Sequence, residues 1–90
     1  ISANPAHPNP FAEITTVPIE LGEASTVEVA IYDVQGRKIR TLRAGHLTIG
    51  HHAVIWDGRD EGGEQASSGA YVAVIRAGKA ELTRTLVMIR

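Results

Sequence analysis

Alternation of apolar and polar residues with a period of two dominates the chain after Phe11, and no segment has the period of an α-helix. The clearest example is TVEVAIYDV (residues 26–34), where Val27, Val29 and Ile31 share one face of the predicted strand. Successive side chains of a β-strand point to opposite faces, so this spacing predicts a strand with one face in a core. The sequence therefore predicts an all-β protein.

Five more segments have the composition of strands. They are EITTVPIEL, KIRTL, HHAVIW, AYVAVIRA and ELTRTLVMIR, at residues 13–21, 38–42, 51–56, 70–77 and 81–90. Pro18 lacks a backbone N–H, which predicts that the first of these is an edge strand. RAGHLTIG (residues 43–50) is predicted to be a loop or crossover. Trp56 and Tyr71 lie on apolar faces of their strands, and we expect both in the core.

Turn-forming residues separate these short strands. They recur roughly every eight to twelve positions, with Gly36 in DVQGRK and Gly78 in RAGKAE as examples. Six or seven short strands without a helix are typical of two antiparallel sheets packed face to face. We therefore predict a small antiparallel β-sandwich over residues 12–90.

The first eleven residues, ISANPAHPNPF, hold three of the four prolines and have no apolar periodicity. Proline fixes φ and disfavours the helical conformation of the residue before it. Residues 1–11 are therefore predicted to be a linker that arrives from an upstream domain of the same polypeptide.

Composition and charge exclude several classes of function. The 90 residues suffice for one small domain. Nine Lys and Arg residues against ten Asp and Glu residues give a net charge of −1, so we expect no binding to nucleic acid. No segment approaches the roughly 20 consecutive apolar residues of a transmembrane helix. The absence of cysteine excludes disulfides and thiolate metal sites.

The segment IWDGRDEGGEQASSGAY (residues 55–71) concentrates acidic residues and glycines between two predicted strands. Its acidic side chains are candidate calcium ligands: Asp57, Asp60, Glu61 and Glu64. Arg59, however, stands where the spacing of an EF-hand requires a second acid. Aspartates that accept backbone N–H bonds, together with glycines of positive φ, explain the same residues as a turn. We favour the turn, without a metal or cofactor, over the calcium site.

No arrangement of residues typical of catalysis is present. Ser67 and Ser68 are not part of a G-x-S-x-G elbow, and acids on a glycine-rich loop lack the cleft of a glycosidase. His51 and His52 are adjacent on a predicted strand, so they point to opposite faces and do not share one metal ion. His46 would supply only a second imidazole. We therefore expect that the protein is not an enzyme.

Exposed aromatic rings would be the basis for binding a carbohydrate. The aromatic residues of the chain are Phe11, Tyr32, Trp56 and Tyr71. Tyr32 lies opposite the Val27 face of its strand and is the best candidate for an exposed ring. A single ring makes a poor platform, so carbohydrate binding is an alternative and not the favoured function.

The last predicted strand is apolar on both faces over LVMI (residues 86–89). Both faces of such a strand are expected to be covered, or one face meets a partner. At the edge of a sheet, the strand would also be free to pair with another chain by β-addition.

Four segments taken together resemble the FlgD-type immunoglobulin-like domain, which is close kin to the C-terminal sorting domains of type IX secretion substrates. They are NPF, VEVAIYDVQGRKIRTL, GHHAVIWDGRDEGGEQASSGAYVAVIRAG and TRTLVMIR, at Asn9–Phe11, Val27–Leu42, Gly50–Gly78 and Thr83–Arg90. The residues that carry the family pattern are Asn9, Pro10, Phe11, Tyr32, Asp33, Gly36, Arg37, Trp56, Asp57, Gly58, Asp60, Gly69 and Tyr71.

The resemblance implies an immunoglobulin-like or fibronectin III-like sandwich of about seven strands, near the C-terminus of a secreted or cell-surface protein. In the sorting branch the module is read by an outer-membrane export machine, and in the FlgD branch it takes part in assembly with neighbouring subunits. We therefore expect a non-catalytic module that acts in export, surface attachment or assembly. The alternatives are a carbohydrate-binding accessory module and a structural spacer or filament-forming module that packs against its neighbours.

Overall fold

Seven strands in two sheets make up the protein in the computed structural model, which describes residues 1–90. They are β1 (Ser2–Ala3), β2 (Thr15–Leu21), β3 (Ser25–Asp33), β4 (Lys38–Leu47), β5 (Gly50–Trp56), β6 (Gly69–Ala77) and β7 (Ala80–Met88). One sheet has the order β1-β2-β5 and the other β4-β3-β6-β7, and all neighbours are antiparallel. The predicted all-β sandwich of about seven strands is confirmed. No helix long and apolar enough to cross a membrane occurs.

The core lies between the two sheets and follows from the alternation along the strands. On β3, Val27, Val29 and Ile31 are buried, as predicted. Val29 lies opposite Ile75 of β6 and Ile31 lies opposite Ala73, and these partners are also fully buried. The facing sheet contributes the buried side chains of Val17, Ile19, Leu21, Val54 and Trp56. Removal of this apolar surface from water is the main stabilising contribution in a domain without disulfides.

Three aromatic rings pack together at one end of the core. The ring of Trp56 lies 5.6 Å from that of Phe11 and 5.1 Å from that of Tyr71, the second pair in an edge-to-face arrangement. The indole N–H of Trp56 donates to the carbonyl of Arg59 at 2.9 Å, and the Tyr71 hydroxyl donates to the carbonyl of Ser67. The prediction that Trp56 and Tyr71 are core residues is confirmed, and both polar tips have partners.

Two irregularities in the pairing of β4 with β3 decide which residues of β4 reach the core. The register shifts twice, and the shifts leave Ile39 and Leu42 without direct partners. Both pack against the core, because an extra residue in a strand changes the direction in which the side chains point. The predicted loop over residues 43–50 is wrong, because β4 continues to the buried Leu47 and β5 begins at Gly50. The extra residues break the alternation that would have revealed a longer strand.

Residues 1–11 do not run free of the sandwich, and the linker prediction is wrong in this respect. Ser2–Ala3 pair with β2, and His7 exchanges two backbone hydrogen bonds with Thr16, of 3.0 and 2.9 Å. Phe11 is buried. Isolated apolar residues between prolines have no period, so the sequence pattern contained no sign of this packing. That an upstream domain precedes the segment stays a prediction.

β2 lies between β1 and β5 and is not the edge strand that Pro18 predicted. The carbonyl of Pro18 accepts the N–H of Asn4 at 3.1 Å, so its backbone faces the N-terminal segment. Because proline has no backbone N–H, β2 loses only one hydrogen bond on the side of the N-terminal segment, which explains why a proline is tolerated at this position. The prediction failed because the segment that covers β2 was not expected to pair.

Candidate functional site

The loop between β5 and β6, residues 57–68, is held by its own backbone and by Asp60. The N–H of Asp60 donates to the carbonyl of Glu64 at 2.8 Å, and the N–H of Gly63 donates to the carbonyl of Asp60 at 3.0 Å. The Asp60 carboxylate accepts the N–H of Glu64 at 3.0 Å. Gly63 has a φ of +86°, where a side chain would be strained. Asp60 thus organises a tight turn.

Asp57 ties the start of this loop to β4. Its Oδ1 accepts Nη1 of Arg40 at 2.7 Å and the N–H of Arg59 at 3.1 Å. Arg59 directs its own guanidinium to the carbonyl of Gly63 at 2.9 Å. The cation that neutralises Asp57 is therefore Arg40, which lies 17 positions away in the sequence.

Glu61 covers the outer edge of β4 where that strand begins. Its N–H donates to the carbonyl of Ile39 at 3.0 Å, and its carboxylate accepts the N–H of Thr41 at 3.0 Å. Glu61 thereby bonds the carbonyl of Ile39 and the N–H of Thr41, to which an adjacent strand would otherwise bond. The loop functions as a cap on part of the sheet edge.

Arg90 closes the loop from the other side. Its guanidinium donates to the carbonyl of Ala66 at 2.9 Å and to that of Gly58 at 3.3 Å. Gly58 has a φ of +74°, and a Cβ there would lie 2.6 Å from Nη2 of Arg90 and 3.0 Å from Cε of Met88. Glycine is therefore required at this position both by the backbone and by the space.

The acidic residues of the loop do not converge on a common point. Asp57 bonds to Arg40, Asp60 bonds within the turn, and Glu61 bonds to β4. No group of three or more His, Cys, Asp or Glu side chains with metal-binding geometry occurs in the protein. Calcium requires six to eight oxygens around one ion. The arrangement supports the turn and gives no support to the calcium alternative.

Asp33 holds the turn that leads from β3 into β4. Its Oδ1 accepts the N–H groups of Gln35 and Arg37 at 2.9 Å each, and its Oδ2 accepts Nε of Arg37 at 2.9 Å. The backbone hydrogen bond from Arg37, followed by the side-chain bond from the same residue, lowers the pKa of Asp33, although partial burial opposes the shift. Gly36 completes the turn with a φ of +84°.

Tyr32 lies half-buried on the outer face of the four-stranded sheet. Nζ of Lys38 lies 5.9 Å from the centre of its ring, so a cation already covers part of the ring. Val72 and Val74 lie beside it and line the same shallow depression. Trp56, the other ring considered for carbohydrate binding, is fully buried. The two residues do not form an exposed aromatic platform.

The four histidines are dispersed. Nε2 of His51 lies 2.9 Å from the carboxylate of Glu20, and Nε2 of His52 lies 2.7 Å from the carbonyl of Thr48. His46 is exposed on β4 without a hydrogen bond. Both side chains of the His51–Glu20 pair are largely exposed, so the pair contributes little to stability.

Asn9 covers the outer edge of β7, on the far side of the same sheet. Its Nδ2 donates to the carbonyl of Thr85 at 2.9 Å, and its Oδ1 accepts the N–H of Val87 at 2.8 Å. Phe11 continues the cover, with its N–H bonded to the carbonyl of Val87 and its carbonyl bonded to the N–H of Ile89, both at 2.9 Å. Half of the β7 edge is therefore closed to β-addition.

Sequence reasoning marked Asn9 and did not assign it a role, and it did not assign Glu61 or Arg40 to any structural contact. Each of these side chains bonds to a residue far away in the chain. A side-chain amide can replace one unit of a strand ladder because it contains one donor group and one acceptor. The two prolines that flank Asn9 are the only local feature of the sequence, and they do not indicate this role.

The fold and these contacts define a small immunoglobulin-like sandwich whose polar side chains mainly hold its loops and strand edges. Residues 12–81 match the family model of the FlgD Ig-like domain. The chain belongs to this family.

The chain is similar to basal-body rod modification proteins FlgD. It is 39% identical to that of Escherichia coli (strain K12) over 69 residues, which cover 73% of this chain and 30% of the relative. It is also 39% identical to that of Salmonella typhimurium over 54 residues, which cover 60% of this chain and 23% of the relative. The chain spans less than a third of the length of either relative.

Two solved structures from Porphyromonas gingivalis contain a similar sandwich. One is PorZ, described as an essential bacterial surface component of the type IX secretion system, with a TM-score of 0.70 and 21% identity. The other is dimeric latent PorU, with a TM-score of 0.72 and 22% identity. The matches cover 99% and 97% of this chain but 12% and 9% of those proteins. At this identity the likeness establishes the fold.

Proposed function

We propose that the chain is a non-catalytic recognition module of a larger secreted or cell-surface protein, located near its C-terminus, and that it directs export through a type IX secretion system. The observation that carries the proposal is the match of nearly the whole chain to small portions of PorZ and PorU. PorZ is itself described as a surface component of that system. The partners of the module are then the upstream domain of the same polypeptide and the export machinery.

The contacts of the polar residues support a non-catalytic role. Catalysis by carboxylates or histidines requires groups free to exchange protons with a substrate in a common cleft. Here Asp57 and Asp60 accept hydrogen bonds from the chain itself, and His51 lies beside Glu20. The surface that remains consists of strand faces, turns and uncovered strand edges, which suit recognition by another protein.

A fusion experiment tests the export proposal. Residues 1–90 are joined to the C-terminus of a secreted reporter and produced in a bacterium that has the type IX machinery. We expect the reporter on the cell surface or in the medium at a level well above that of the unfused reporter. A strain without the translocation channel and a fusion with Trp56→Ala serve as controls for the machinery and for the fold. Equal export with and without the module would overturn the proposal.

Assembly is the second candidate, and the 39% identity to FlgD favours it. For this candidate, residues 12–81 replace the corresponding domain of E. coli FlgD, and motility is measured in a strain that lacks the native protein. Restored swimming, together with absent export of the reporter, would favour assembly over export. Carbohydrate binding has less support, because Trp56 is buried and Tyr32 is partly covered by Lys38.

A further inference from the structure

Three stretches of strand edge have neither a neighbouring strand nor a cap: residues 42–47 of β4, the outer side of β5, and the first half of β7. The stretch on β4 differs from the others in its charge. β4 is an outer strand of the four-stranded sheet, and Glu61 covers it only at Ile39 and Thr41. Over residues 42–47, no backbone group bonds outside the ladder with β3. By contrast, residues 2–11 cover long parts of β2 and β7. The uncovered edge, residues 42–47, is therefore able to accept an added strand.

The register identifies the backbone groups that point away from the sheet. Thr41 lies opposite Ala30 and directs its N–H outward to Glu61. Leu42 is the extra residue of the bulge, and Arg43 lies opposite the next residue of β3, Val29. Because the direction of the backbone alternates along a strand, the groups of Arg43 point toward β3 and those of Ala44 point outward. Ala44 thus offers a donor and an acceptor to a partner strand.

The side chains on this edge are basic. Arg43 is exposed and has no ion pair or hydrogen bond, and His46 is likewise exposed and unpaired. The two cations at the start of β4 are neutralised, Lys38 by Glu28 and Arg40 by Asp57. No acidic residue occurs on β4. Arg43 is therefore the cation without a partner at the uncovered edge.

Arg43 determines which strand is able to pair here. It lies opposite Val29, on the face that meets the other sheet, where a charge on an edge strand opposes pairing with an apolar strand. Antiparallel pairing of β4 with a second copy would bring two basic strands together, which is unfavourable. A strand with carboxylates at alternate positions neutralises Arg43 and completes the ladder. Charge thus selects for one class of partner and against the others.

We propose that the uncovered edge binds an extended, acidic segment of a partner protein as an additional antiparallel strand. Backbone hydrogen bonds at Ala44 supply part of the affinity, and Arg43 supplies the selectivity. This interaction does not depend on export: it is a property of the folded domain and is measured on the purified chain.

A titration followed by NMR tests the proposal. The 15N-labelled chain is titrated with an acetylated and amidated eight-residue peptide of alternating glutamate and valine, and in parallel with the same peptide in which lysine replaces glutamate. We expect shifts of amide signals concentrated in residues 42–47 and binding of the glutamate peptide at least about fivefold tighter than that of the lysine peptide. Equal affinities, or shifts centred elsewhere, would overturn the proposal. Concentration-dependent shifts at residues 42–47 without peptide would also overturn it, in favour of a second copy.

Three variants separate the contribution of the Arg43 charge to peptide binding from that of the Ala44 backbone. Arg43→Glu is expected to reverse the preference between the two peptides, whereas Lys79→Glu, at the turn between β6 and β7, changes the net charge equally and keeps the preference. Ala44→Pro removes an outward N–H at a position where proline suits an edge strand, and is expected to abolish binding of both peptides. Thermal unfolding checks that each variant is folded. An unchanged preference in Arg43→Glu would contradict the role of Arg43.

Discussion

The two outer strands of the four-stranded sheet are covered in different ways. On β7, Asn9 bonds a carbonyl and an N–H through its side-chain amide, and Phe11 extends the cover with its backbone and a buried ring. On β4, Glu61 bonds one carbonyl and one N–H, and the remaining residues to Leu47 have no cover. The domain thus closes the half of the β7 edge that lies beside its aromatic core and leaves most of the β4 edge available for a partner.

Loss of the Phe11 ring is the strongest way to disrupt the cover on β7. Phe11→Ala removes a buried side chain whose ring centre lies 5.6 Å from that of Trp56. Substitutions of this kind cost about 3–5 kcal/mol in the free energy of unfolding. Urea denaturation of the variant measures the loss. Val34→Ala is the control, since Val34 is 75% exposed and a change of less than about 0.5 kcal/mol is expected. Equal effects of the two variants would mean that Phe11 does not anchor the segment.

The amide of Asn9 is the next test of the same cover. Asn9→Ala leaves the carbonyl of Thr85 and the N–H of Val87 without their partner, and we expect a loss of about 1–2 kcal/mol in the free energy of unfolding. At about pH 3, below the ordinary pKa of an aspartate, Asn9→Asp keeps an acceptor for the N–H of Val87 and an O–H donor for the carbonyl of Thr85, so its loss there should be smaller than that of Asn9→Ala. If aspartate proves as damaging as alanine at that pH, the side-chain bonds to Thr85 and Val87 contribute nothing.

The cover on β4 should contribute less than that on β7. Glu61→Ala removes the acceptor for the N–H of Thr41 but keeps the backbone bond to Ile39, so the expected loss is about 0.5–1 kcal/mol. Glu64→Ala is the matched control, because no hydrogen bond or ion pair to its carboxylate is present and its backbone bonds are retained. Thermal unfolding of the two variants at equal ionic strength distinguishes them. The idea of a cap on β4 fails if Glu64→Ala is the more destabilised.

A substitution in the turn before β4 is expected to change the stability of the fold least, and the size of this change depends on pH. Hydrogen bonds from Arg37 lower the pKa of Asp33 in the folded state. The Asp33 carboxylate therefore stabilises the fold above its ordinary pKa of about 4, and this contribution is lost as the pH falls toward the lowered value. Asp33→Asn keeps an acceptor for the N–H groups but loses the charge. The difference in melting temperature between wild type and variant should be present at pH 6 and shrink below about pH 4. A difference that grows on acidification would contradict the assigned hydrogen bonds.

The sequence predicted the parts of the fold that repeat with a regular period. The alternation in β3 located Val27, Val29 and Ile31 in the core, and turn residues located most strand ends. The failures occurred where a residue interrupts the period. The extra residue Leu42 disguised the second half of β4, and the prolines around Asn9 disguised a segment that packs on the sandwich.

The site was harder to predict than the fold because its contacts join distant residues. The prediction that the acids of residues 57–64 belong to a turn agrees with the bonds of Asp60, which reach no further than four positions. The partner of Asp57 is Arg40, and Glu61 bonds to Thr41, 20 positions away. Spacing along one chain contains no information on such pairs, and only the three-dimensional arrangement of β4 beside the loop brings them together.

Amide hydrogen exchange of the folded chain tests the difference between the two edges most directly. In the structure, the N–H of Val87 bonds to Asn9 and that of Ile89 bonds to Phe11, whereas the register of β4 directs the N–H of Ala44 away from β3. We predict slow exchange at Val87 and Ile89 and fast exchange at Ala44. Protection at Ala44 equal to that at Val87, or fast exchange at both Val87 and Ile89, would contradict the difference between a covered β7 edge and an uncovered β4 edge.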